Sequence, residues 1–124
     1  MRKYWLQRWK SFGYAFAGLA TLFRTQAHAW IHLIAALIVI SLAFYFGVSR
    51  TEWCILLLCI TLVFAAEAFN TAVEFLTDLA SPNIHPLAKY TKDTAAAAVL
   101  ICSIGAAIVG SLVFWPYVSI FLEY

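Results

Sequence analysis

Apolar residues first recur along this chain at helical spacing and then run on unbroken. Trp5, Trp9, Phe12, Phe16, Leu19 and Phe23 return every three or four residues, with Gln7, Lys10, Ser11 and Thr21 mainly on other faces. That pattern predicts an amphipathic helix over residues 1–25, lying in a membrane interface with its Trp, Arg and Lys side chains at headgroup level. A signal peptide would share the basic start, but Arg24 and the polar Thr25-Gln26 break its design, and Gly13 and Gly18 weaken its apolar segment.

Beyond this helix, residues 30–47, 53–66 and 94–122 contain no Asp, Glu, Lys or Arg. A helix crossing the hydrocarbon needs about 20 mostly apolar residues. We therefore expect spans at 30–47, 53–77 and 94–115, the second running on through Glu67, Asn70 and Glu74 toward Asp78. Gly47-Val48-Ser49-Arg50-Thr51 reads as the first turn, and Pro116 is expected to kink or end the third span. Backbone groups in lipid must be satisfied within the segment, so these spans should be helices. No stretch alternates over the length a barrel strand requires. The expected fold is an all-α membrane protein, one domain over residues 1–124, with an amino-terminal interfacial helix and three transmembrane helices.

Composition sharpens the exclusions. The chain is 65% apolar and 11% charged, with a mean hydropathy of +0.88. A soluble domain carries about 25% charged residues, and a core this small could not bury such runs. A soluble globular domain, a disordered chain and a nucleic-acid binder are excluded. Arg2, Lys3, Arg8, Lys10 and Arg24 precede the first span, Lys89 and Lys92 lie between the second and third, and Arg50 stands alone in the remaining loop. Positive residues stay on the cytoplasmic side, which places the amino terminus inside. Cys54, Cys59 and Cys102 fall within spans without metal-ligand spacing and read as small packing residues.

Ionisable groups inside a span are costly and mark function by default. Glu67, Asn70, Glu74 and Asp78 fall at roughly 0°, 300°, 340° and 20° around the second helix, a stripe about 80° wide. A polar seam joining helices would account for Asn70. It accounts poorly for three acids, because neighbouring carboxylates repel unless a cation or a proton offsets them. A metal-phosphate site or a proton-transfer site explains them better. Lys89-Tyr90-Thr91-Lys92-Asp93 precedes the third span, where a lysine and a new helix amino terminus would both favour phosphate. Acidic stripe and basic loop together point to phosphoryl transfer, in which positioning and charge neutralisation do most of the work. A proton-coupled transporter subunit would also carry carboxylates in a span, but gives no reason for Lys92-Asp93.

Glu67-Ala68-Phe69-Asn70-Thr71-Ala72-Val73-Glu74, then Asp78, then Lys92-Asp93 before Ala95 to Leu100, resembles the prokaryotic diacylglycerol kinase family, which includes undecaprenol kinases. The resemblance covers nearly the whole chain. His85-Pro86-Leu87-Ala88-Lys89, with His32 opening the first span, resembles the undecaprenol kinase branch more than the Gram-negative diacylglycerol kinase branch. The resemblance implies a homotrimeric bundle in the bacterial inner membrane, with sites shared between protomers. It implies transfer of the ATP γ-phosphate to a lipid alcohol, assisted by magnesium (Mg2+).

By the same resemblance Glu67 is the general base, Asn70 a supporting polar residue and Glu74 a metal ligand. Asp78, His85, Lys92 and Asp93 surround the nucleotide, with Lys92 on its phosphates, and Lys10 and Tyr14 approach it from the interfacial helix. The second metal position falls on Gln26, where the family usually carries glutamate. A neutral amide is a weaker ligand for a hard divalent ion, and His28 nearby is a poor substitute for it. This departure leaves two readings open, a lipid kinase and a trimeric pseudokinase that binds nucleotide or lipid without chemistry.

Overall fold

The computed structural model describes residues 1–122 and, within them, every side chain except those of Arg2, Lys3 and Phe121. The two basic side chains counted at the amino terminus, and the last two residues of the expected 1–124 domain, lie outside the described residues. Four helices follow in order: α1 (Arg2–Thr25), α2 (Ala27–Phe46), α3 (Arg50–Ala80) and α4 (Pro86–Leu122), with no strand among the described residues. The last three are long and apolar enough to cross a membrane.

The connections follow from local chemistry. Gln26 is the single extended residue between α1 and α2. The indole of Trp30 donates to the carbonyl of Phe23 at 2.8 Å, which ties the two helices across that joint. Helix α2 stops at Gly47, whose φ of +63° is left-handed and favours a residue without Cβ. Ser49 and Glu52 then form a reciprocal cap that opens α3.

Small residues bring the helices close. Ala29, Ala36 and Ala43 on α2 are buried at intervals of seven residues, and Leu56, Val63, Asn70 and Thr77 repeat with the same interval on α3. A seven-residue repeat on facing helices gives the shallow, left-handed crossing of a coiled-coil-like pair. Helix α4 packs most extensively against α3. An apolar groove of about 340 Å³ remains between α2, α3 and α4, and His32, Ala36, Ser103 and Gly110 lie among its walls. At the α2–α3 turn, Ala43, Val48, Leu56 and Val113 form the buried apolar cluster. There the hydroxyl of Tyr117 donates to Glu52 at 2.8 Å, joining α4 to the first turn of α3.

One sequence expectation needs correction. Helix α4 begins at Pro86, so Lys92 and Asp93 sit in its second turn rather than in a loop. Of the two outcomes expected at Pro116, a kink or an end, the end does not occur: the helix continues to Leu122. Proline removes one backbone donor, and a membrane helix tolerates that loss through local adjustment and neighbouring groups.

Helix α3 has 31 residues and spans about 46 Å, against about 30 Å of hydrocarbon. By length, helices α3 and α4 can therefore continue as a pair beyond the apolar layer. The end they project from is the one that also carries the α1–α2 joint.

Candidate functional site

The polar stripe of α3 descends from this projecting end into the bundle, and its four members differ in depth. Asp78 is exposed and Glu74 half-buried, whereas Asn70 is 8% exposed and Glu67 only 2%. A helix that emerges from a packed bundle leaves its last turns to solvent, so one stripe samples both environments.

Glu74 is the meeting point. Gln26 donates from Nε2 to Glu74 Oε2 at 2.8 Å, and Asn70 donates from Nδ2 to Glu74 Oε1 at 3.4 Å. The joint between α1 and α2 is what delivers Gln26 to α3. Asn70 then leaves its Oδ1 buried with no donor. Thr71 spends its hydroxyl on the carbonyl of Glu67, within the helix. Among the described residues, no donor or cation is paired with the Glu67 carboxylate.

At the outer end, Lys92 forms an ion pair with Asp78 across the α3–α4 turn, and Lys89 forms one with Asp93 along α4. His85 accepts at Nδ1 from the backbone N–H of Leu87 at 3.1 Å, and so caps the start of α4. Lys10 and Tyr14 lie exposed on α1. Among the described residues, neither forms a hydrogen bond or ion pair with another candidate residue.

Two groups of candidate residues thus come together, Gln26–Asn70–Glu74 within the bundle and Asp78–His85–Lys92–Asp93 at the outer turn. Glu67 sits below both, two turns from Glu74 on the same helix. The reading of the sequence did not pair Lys89 with Asp93, although their i,i+4 spacing on a helix was the signal for it.

The magnesium implied by the resemblance can be tested against these donors. Among the described residues, no group of three or more His, Cys, Asp or Glu converges on one point. Glu74 offers one carboxylate, and the Gln26 amide can present its oxygen after turning from the hydrogen bond. Magnesium keeps several waters and commonly takes one or two carboxylates together with substrate phosphates. These donors suit an ion that arrives on phosphate rather than one caged by the protein.

Residues 13–114 match the family described as prokaryotic diacylglycerol kinase. The chain is 39% identical over 107 residues to the undecaprenol kinase of Bacillus subtilis, covering 86% of this chain and 87% of that one. It is likewise 39% identical over 107 residues to a diacylglycerol kinase of Synechocystis, covering 86% of this chain and 61% of the relative. Against the diacylglycerol kinase of Escherichia coli K12 the identity is 29% over 108 residues, covering 87% and 88% of the two chains.

Proposed function

This chain belongs to the prokaryotic diacylglycerol kinase family and is a multi-pass membrane lipid kinase, and we propose that it transfers the γ-phosphate of ATP to the hydroxyl of diacylglycerol or undecaprenol. The observation that carries this reading is the buried residue Glu67, its carboxylate unpaired among the described residues, at the inner end of a stripe whose outer end is linked to Lys92. Transfer takes place at the cytoplasmic face of the bacterial inner membrane, the side to which the basic residues assign α1 and the α3–α4 turn.

In this mechanism Lys92 holds the nucleotide phosphates and Asp78 positions it across the turn. Asp93, His85, Lys10 and Tyr14 contact the remainder of the nucleotide. Glu74 and Gln26 would hold the magnesium ion. Magnesium, when bound, offsets charge on the transferring phosphate. Glu67 takes the proton as the lipid O–H bond breaks. The lipid oxygen bonds to the γ-phosphorus, the bridging oxygen leaves with ADP, and Asn70 holds the reacting group beside Glu67. A carboxylate without partners keeps its lone pairs for that proton. The working assembly in this reading is a homotrimer, as the family resemblance implies.

The test offers ATP, magnesium and either lipid to the protein in mixed micelles, with Glu67→Gln as the blank. Phosphate on one lipid, absent from the blank, would support the kinase and identify its acceptor. Wild-type turnover by Glu67→Gln would remove the base assignment. One observation favours the second reading, a pseudokinase. The Gln26 amide already satisfies Glu74 directly, where a metal would otherwise be needed to join two carboxylates. A large gain of transfer in Gln26→Glu would mark a degraded metal site.

A further inference from the structure

A shallow pocket of about 360 Å³ opens at the α3–α4 turn, and Asp78, His85, Lys89, Lys92 and Asp93 are among its walls. Its four full charges form two separate pairs, and the two lysines are held differently. Lys92 joins two helices, and its side chain is 39% exposed. Among the described residues, Lys89 is paired only along its own helix, and its side chain is 73% exposed. An exposed pair within one helix is weak, because water screens it and both side chains lose freedom in forming it. Lys89 is therefore the cation that this pocket can most readily release.

An incoming phosphate is a better partner than the carboxylate it would displace, since it brings more charge and more acceptor oxygens. Lys89 lies one turn before Lys92 and on the same pocket, so its flexible four-carbon stem can carry the ammonium to a group bound at Lys92. Local sequence does not rank the two lysines, and the resemblance singled out Lys92 alone. We propose that Lys89 is a second phosphate-binding cation of this pocket, exchanging Asp93 for the polyphosphate of the nucleotide held at Lys92. The assignment rests on the kinase reading of the same site.

The test is equilibrium dialysis of ATP with magnesium against the intact chain in detergent, run beside the transfer assay. Lys89→Met is expected to weaken ATP binding by about tenfold, the scale of one lost charge-assisted contact. It should also flatten the dependence of binding on ionic strength. The KM for ATP should rise while kcat stays within about twofold, the pattern of a lost binding contact. Lys89→Arg is expected to recover most of the affinity. Unchanged ATP affinity and salt dependence in Lys89→Met would overturn the assignment. Lys89-dependent ATP binding by a protein that transfers no phosphate would keep it and remove the kinase reading. No ATP binding by the unaltered protein would overturn both.

Discussion

The amide of Gln26 and the carboxylate of Glu74 meet at 2.8 Å, although 48 positions separate them in the chain. A glutamate at position 26 would set two carboxylates face to face, and like charges at that distance repel unless a cation lies between them. Gln26→Glu is therefore expected to lower the thermal midpoint of the detergent-solubilised protein when divalent ions are chelated. Magnesium should restore it, while the unaltered protein responds much less. Melting curves with and without magnesium check this, and a variant indifferent to the ion would take position 26 out of the metal site.

Ala43 is 0% exposed where α2 packs against the neighbouring helices. A larger side chain there must push the helices apart, which costs about 1–3 kcal/mol in a packed interior. Ala43→Leu should lower the denaturant midpoint accordingly. Leu42→Ala, on an exposed neighbour, should lower it less. Equal losses from the two substitutions would contradict the close packing of these alanines.

Tyr117 and Glu52 fasten α4 to α3 at the end opposite the candidate site. Tyr117→Phe removes the hydroxyl and should cost about 0.5–1.5 kcal/mol, the usual net worth of one hydrogen bond. Phosphate transfer by the folded variant should be unchanged. A loss of transfer at full stability would show that the two ends communicate.

Asp78 and Lys92 join α3 to α4 as a partly exposed ion pair. A double-mutant cycle with Asp78→Asn and Lys92→Met should give a coupling of about 0.2–1 kcal/mol in stability. The coupling should fade as salt is added. Transfer should fall in each single variant, since both residues are assigned to the nucleotide. A coupling that ignores salt would point to packing rather than charge.

The helices and the shared face of Glu67, Asn70, Glu74 and Asp78 were legible because both depend on local spacing. Apolar runs, however, mark where lipid is met, and a helix can continue beyond it. For this reason α4 begins at Pro86, ahead of the run that starts at Thr94. Whether Pro116 would end the helix was equally undecided by local pattern, because the cost of continuing is met by surroundings that such a pattern does not contain.

By itself, then, the sequence determined an all-helical membrane chain with one polar face on its third helix, since periodicity and composition act over a few residues at a time. Tertiary structure decided which members of that face are buried, that Gln26 meets Glu74, and that Lys92 meets Asp78. Those outcomes depend on how far each helix runs and how closely alanines let the helices approach. Both are settled only when the packed helices bring together residues far apart in the chain.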